Sequence, residues 1–278
     1  MTQTECVNID GIRIAYRSAG RGEPLLLLHG FTYSSYSFRH NIPVLSKLYH
    51  VICPDLPGHG LSDKPISFDY SLSSQADLIH RFCKELGLDK ITLGGCSMGG
   101  ALAMRTALDY PCLVDRLILV DSAGLDLDVK SPQRIFAIPV LGHLAALVTT
   151  IRFRLGSHAR MAIDVDEESK DDYQAYARQL KSFSSLIAGV RNLRANRAFK
   201  LREIHRIEQQ TLIVWGERDQ LFSIDSARML ADLIPDSRLI LLPEAGHLPN
   251  EEKPADFNQV VLDFMQRRIP SARGESSQ

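Results

Sequence analysis

Six short runs in this chain are almost wholly apolar: PLLLLHG from Pro24, HVICPD from His50, ITLGGCS from Ile91, RLILVDSA from Arg116, TLIVWGERD from Thr211 and SRLILLPEAGH from Ser237. A strand that is apolar at consecutive positions has both faces covered, the condition of a central parallel strand with helices above and below it. The segments between the runs carry apolar residues at helical spacing, over Ser73 to Leu86, Met98 to Asp109, Ile224 to Leu233 and Pro254 to Arg267. This alternation predicts an α/β fold built on a mostly parallel sheet with right-handed crossovers. Ahead of the series, CVNIDGIRIAYRSAG alternates apolar and polar residues on either side of Asp10-Gly11, a dipeptide suited to a tight hairpin.

The alternation breaks once. From about Leu125 to Glu208 no strand-like run occurs and helical periodicity takes over, as in DDYQAYARQLKSFSSLIAGVRNL. The 278 residues therefore divide into a core domain, 1–124 and 209–278, and a helical insertion, 125–208. The net charge of −1 gives no electrostatic reason for a nucleic-acid partner. Arg191, Arg194, Arg197, Lys200, Arg202 and Arg206 have the spacing of a solvated helix face. The most apolar stretch, IFAIPVLGHLAALVTTI, is interrupted by Pro139, Gly142 and His143. It is also shorter than the ~20 apolar residues of a membrane span. Five scattered cysteines with no C-x-x-C pair argue for a reducing compartment and against disulfides or a zinc knuckle. With no secretory signal at the N-terminus, a cytoplasmic location is expected. The tail SARGESSQ is expected to fray.

In open α/β sheets, functional residues gather in the loops at the carboxyl ends of the strands. Here those ends read His29-Gly30-Phe31, Asp55, Ser97, Asp121, Asp219 and His247. Three patterns compete for the glycine-rich stretch LGGCSMGG. A phosphate loop needs lysine where Gly100 stands, and a dinucleotide fingerprint needs glycine where Ser97 stands. The third, G-x-S-x-G, is satisfied by Gly95, Ser97 and Gly99 between a strand and a helix. A sharp strand-to-helix turn leaves no room for side chains two residues either side of its serine. It also sets the hydroxyl at a helix N-terminus, where negative charge is favoured.

A serine hydroxyl is a poor nucleophile without a base and a site for the oxyanion. His247 is the histidine in a loop after the last strand; His29 and His59 read as turn-supporting residues. A carboxylate must orient the imidazole, and Asp219, just past the strand from Thr211, is preferred. Asp121 is its rival. The order Ser97, Asp219, His247 is the one expected on such a sheet. The backbone N–H groups of Met98 and Phe31 are the expected oxyanion donors, with Phe31 in the loop after LLLLHG.

LLLLHGF, VICPDLPGHGLSDKP, GGCSMGG, WGERD and GHLPNEEKP together closely resemble the α/β-hydrolase superfamily, and they follow its order over nearly the whole chain outside the insertion. The resemblance implies an eight-stranded, mostly parallel sheet flanked by helices, with one antiparallel strand near the start and a helical cap over the active site. It implies Ser97 as nucleophile, His247 as base, Asp219 as acid, and Phe31 and Met98 as hole donors, as in the esterase and lipase-like branch. No metal or organic cofactor is implied. The expected activity is hydrolysis of small to medium carboxylic esters by a monomer or homodimer. Branches with aspartate at the elbow are disfavoured by Ser97. Hydrolases that cleave carbon–carbon bonds of ring-fission products usually carry tryptophan after the histidine, where this chain has Leu248. That activity, perhydrolase or lyase chemistry on the same triad, and a ligand-binding receptor-like relative are the alternatives. Phe136, Ile138, Leu141, Leu144 and Leu147 line an apolar pocket or pack the cap internally; the sequence leaves both open.

Overall fold

Asp10 and Gly11, with φ of 50° and 85°, turn the chain between two strands whose register pairs Ile9 with Ile12. A two-residue loop with both φ values positive, of the type I′ kind, matches the twist of the flanking strands, and Asp-Gly tolerates it. This hairpin joins β1 (Gln3–Ile9) to β2 (Ile12–Ala19). The computed structural model describes residues 3–125, 139–161, 174, 177, 182–195, 199 and 201–266. The six apolar runs form β3 (Pro24–Leu28), β4 (His50–Pro54), β5 (Ile91–Cys96), β6 (Val114–Val120), β7 (Gln210–Gly216) and β8 (Ser237–Leu242). One eight-stranded sheet results, in the order β1-β2-β4-β3-β5-β6-β7-β8. β2 is antiparallel to both β1 and β4, and every other pairing is parallel.

The doubly apolar runs are explained by two cores, one on each face. Leu26 and Leu28 of β3, Leu117 and Leu119 of β6, and Ile213 and Trp215 of β7 join one cluster with Phe82 and Leu102. Leu25 and Leu27, Ile118 and Val120, and Leu212 and Val214 join the other with Phe38, Phe257 and Phe264. Each fully buried side chain of this size stabilises the fold by roughly 1.5–3 kcal/mol.

Four amphipathic segments became helices close to their expected bounds. Counting single-turn helices, these are α2 (Leu72–Glu85), α3 (Met98–Asp109), α7 (Ile224–Leu233) and α9 (Pro254–Met265). The Ser71 hydroxyl caps α2 by accepting from Ser74 N at 3.3 Å, which sets its start. The last helix stops at Met265, two residues short of the expected Arg267, which lies outside the described residues. The single turns are α1 (Ile42–Leu45), α6 (Leu201–Ile204) and α8 (Pro249–Glu252).

Between β6 and β7 the described residues hold α4 (Pro139–Met161), α5 (Phe183–Ala195) and α6, with an isolated bridge between Leu125 and Phe199. α4 turns Ala146 and Thr150 inward and leaves Leu144, Val148, Ile151 and Leu155 exposed. Leu144 therefore faces solvent and Leu147 is half-buried. Phe136, Ile138, the Leu141 side chain and the tail SARGESSQ lie outside the described residues. So do Arg197 and Lys200 of the basic stretch, whereas Arg191, Arg202 and Arg206 are exposed. Among the described residues no helix is long and apolar enough to cross a membrane.

Candidate active site

Ser97 joins β5 to α3 with φ 53° and ψ −116°, a backbone conformation that costs a side-chain-bearing residue on the order of 1–3 kcal/mol. Neighbouring backbone holds it there. Ser97 N donates to Val120 O at 2.9 Å, and Ser97 O accepts from Gly100, Ala101 and Ala123 N at 3.0, 3.2 and 3.0 Å. The flanking glycines are required by space. A Cβ on Gly95 would lie 2.2 Å from Gly99 O, and one on Gly99 would lie 2.2 Å from Leu28 O. Met98 N is at the first helical position, where a helix has donors without an intrahelical partner. The loop after β3 passes alongside, since a Cβ on Gly30 would sit 3.5 Å from Ser97 Cβ. Phe31, next in the chain, is buried there.

His247 and Asp219 meet on the loops after β8 and β7. His247 Nδ1 donates to Asp219 Oδ2 at 2.8 Å, and Asp219 Oδ1 accepts from Leu221 N at 2.7 Å and Phe222 N at 3.2 Å. The Phe222 ring stands edge-on to the imidazole, centroids 5.2 Å apart. Burial pushes the Asp219 carboxyl up, but the His247 hydrogen bond and charge, the Asp121 contact and the Leu221 N–H outweigh it and hold the group below its ordinary value.

The backbone around His247 is fixed on both sides. The Glu252 carboxylate accepts from Gly246 N at 2.6 Å and from Leu248 N at 3.2 Å. Three residues past the histidine, Asn250 Nδ2 donates to Ser37 O at 2.9 Å. Its Oδ1 accepts from Cys96 Sγ at 3.5 Å, so the histidine loop is tied to the residue preceding Ser97.

Asp121 follows the last residue of β6, beside this pair. Its Oδ1 accepts from Gly216 N at 3.1 Å, whereas the His247 ring nitrogen Nδ1 is joined to Asp219. Burial first, then a hydrogen bond and charge repulsion from Asp219, drive the Asp121 carboxyl well above the ordinary carboxylate range. One carboxylate oxygen of Asp121, one of Asp219 and a ring nitrogen of His247 lie within 4.8 Å of one another.

His29 and His59 support the loops. Leu56 N donates to His29 Nε2 at 3.0 Å, so the proton is on Nδ1, which donates to Gly30 O at 2.8 Å. His59 Nδ1 donates to Pro57 O at 3.1 Å, and the two rings lie 5.1 Å apart. Burial lowers His29 to about 4 and His59 to about 3, so both are neutral at pH 7. Sequence reasoning gave Asp55 no task, yet its carboxylate accepts from Ser35 N and Leu61 N, each at 2.7 Å. The available signal was Gly60, whose Cβ would lie 1.9 Å from Asp55 Oδ2. Asn250 was also missed, because nothing local marks a residue whose partners are far along the chain, and Glu252 was missed although its partners Gly246 and Leu248 lie only six and four residues away.

A family model described as alpha/beta hydrolase fold matches residues 23–254. A 2-hydroxy-6-oxo-6-(2'-aminophenyl)hexa-2,4-dienoic acid hydrolase of Metapseudomonas resinovorans is 29% identical over 96% of this chain and 92% of its own. Lipase 1 of Psychrobacter immobilis is 29% identical over 87% of this chain and 77% of its own. Among solved structures, a serine hydrolase involved in carbazole degradation superposes with a TM-score of 0.77 at 26% identity, covering 96% of this chain and 99% of that one.

Proposed function

The chain belongs to the alpha/beta hydrolase fold family, and on that footing we propose that it hydrolyses small to medium, apolar carboxylic esters through Ser97, His247 and Asp219. The observation that carries this reading is the 2.8 Å bond from His247 Nδ1 to Asp219, on a loop tied by Asn250 to the elbow of Ser97. That bond leaves Nε2 as the basic nitrogen. His247 takes the Ser97 proton as Oγ attacks the ester carbonyl, and the Met98 and Phe31 N–H groups stabilise the oxyanion. The alcohol leaves with the proton from His247, and water then repeats the sequence to release the acid. No step in this scheme calls on a metal or organic cofactor.

Residues 125–208 act as the cap over this site in our reading. Its support is the approach of α5 to the strand-end loops: a Cβ on Gly58 would lie 2.6 Å from Ala188 Cβ, and one on Gly189 would lie 3.5 Å from Phe31 Cζ. We place the chain in a reducing, cytoplasmic setting on its five scattered cysteines, which include no C-x-x-C pair.

A second reading, carbon–carbon hydrolysis of a vinylogous diketone acid, is favoured by the relative of that activity named above. Leu248 in place of tryptophan speaks for the ester. Incubation with a p-nitrophenyl ester series and with a vinylogous diketone acid decides. We expect ester turnover that falls on the order of 10⁴-fold or more in Ser97→Ala. Preferential turnover of the diketone acid would move the assignment to the second reading. No turnover above Ser97→Ala on either substrate would leave a receptor-like binding protein.

A further inference from the structure

We propose that Asp121 carries a proton and donates it in a hydrogen bond to Asp219, making it the positioning residue for the acid of the candidate triad. The catalytic part of this proposal rests on the ester-hydrolase reading above; the protonation part does not.

Geometry carries it. The Asp121 side chain is fully buried just past the carboxyl end of β6, next to β7, whose carboxyl end leads into Asp219. Its Oδ1 is occupied by the Gly216 N–H. Its Oδ2 is buried and accepts no hydrogen bond from any N–H or O–H among the described residues. Asp219 lies within 4.8 Å, itself with a fully buried side chain. Two ionised carboxylates cannot share such a space, so one of the pair holds a proton. The donors decide which. Asp219 receives three, from His247, Leu221 and Phe222, whereas Asp121 receives one. The charge therefore stays on Asp219 and the proton goes to Asp121, and the direction of both titrations agrees. The other ionisable groups facing Asp121 are His247, Glu252 and the neutral thiol of Cys96.

The backbone position adds a second argument. Asp121 has φ 39°, a strained value for a residue with a side chain, and its N–H is held by Val214 O at 3.1 Å. Its neighbours clasp the elbow: Val120 O accepts from Ser97 N, and Ala123 N donates to Ser97 O. One short segment thus fixes the candidate nucleophile through its backbone and the candidate acid through its side chain.

Infrared spectroscopy and kinetics of Asp121→Asn and Asp121→Ala test this. At neutral pH the wild type should show the carbonyl band of a protonated carboxylic acid, absent from both variants. Asp121→Asn keeps a neutral N–H donor toward Asp219. It should retain kcat/KM within about threefold, with the acid limb of its pH profile in place. Asp121→Ala loses the bond and should lower kcat roughly ten- to hundred-fold at little change in KM, the range of one hydrogen bond to a charged group. A missing band overturns the proposal. So does an Asp121→Asn acid limb displaced to lower pH, which would mean that an ionised Asp121 had supported the imidazolium. So does full kcat in a folded Asp121→Ala. Treatment with a chelator should leave band and rate unchanged; a loss of either would assign the three groups to a cation instead. If the wild type itself turns over no ester, the ester-hydrolase reading fails, and the band alone still decides where the proton sits. The same holds if Asp121→Ala does not fold, because Asp121→Asn supplies the comparison.

Discussion

At Gly99 a methyl group would have to share space with the carbonyl oxygen of Leu28, 2.2 Å from its Cβ position. That oxygen belongs to a central strand and cannot swing aside, so Gly99→Ala must displace the helix, the strand or both. We expect a loss of about 1–3 kcal/mol, read as a lower urea midpoint, with activity falling further because Ser97 and the Phe31 loop move together. Gly100→Ala meets the Ser122 hydroxyl at 2.4 Å, which can rotate away, but also Ser122 Cβ at 2.8 Å, which cannot, so it too should be destabilising, though less than Gly99→Ala. This elbow was legible in the sequence because its requirements are local: five residues state the turn, the close approach and the hydroxyl. Asp219 is preferred to Asp121 on its place in the chain, with the rival left open. Both follow a strand, and only the fold shows that Asp219 receives the His247 N–H while Asp121 receives that of Gly216.

Three asparagines lock the last helices to the loop after β3. Asn41 Nδ2 donates to Asn250 O at 3.1 Å and to Asn258 Oδ1 at 2.9 Å, and Asn258 Nδ2 donates to His40 O at 3.1 Å. With the Asn250 bonds to Ser37 and Cys96, α8 and α9 become a fixed platform for His247. Asn250→Ala removes two of these bonds and leaves Ser37 O buried without that donor. We expect it to cost about 1–3 kcal/mol and to lower kcat several-fold, because the imidazole loses its register to the elbow. An unchanged kcat with a lowered melting temperature would confine Asn250 to stability. Strands and helices of the core could be read from the chain because each is covered in one consistent way. The region between β6 and β7 could not be resolved to the same depth. In α4, apolar residues lie on the outer face as well as the inner one, so their pattern does not say which side is covered. Leu144 is the concrete case: apolar, at helical spacing, and exposed.

Acid should destabilise the whole molecule earlier than its carboxylates alone would dictate. His29 and His59 are fully buried and neutral, with values lowered to about 4 and about 3 by burial. In the unfolded chain they take up protons near the ordinary value of about 6.5. Below that pH the unfolded state binds more protons than the folded one, so stability falls with falling pH until about 4 for His29 and about 3 for His59. Between pH 7 and pH 5 each should contribute a loss of roughly 2 kcal/mol, less whatever local relaxation allows. Urea unfolding at the two pH values measures it. A His59→Phe variant should show a shallower pH dependence even if its stability at pH 7 is lower. A slope equal to that of the wild type would show that His59 titrates normally in the folded protein.

β7 lies against β6, although about 90 residues separate Val120 from Gln210. The elbow is therefore complete well before the strands that carry Asp219 and His247 have been synthesised. Closing a gap of that length is entropically slow to repay, and parallel pairing between distant segments is formed late. A chain that has reached only β6 accordingly holds Ser97 without His247, the base we propose for it. In the proposed mechanism the base comes from the loop after β8, so the nucleophile gains its partner only once the far side of the sheet has been added.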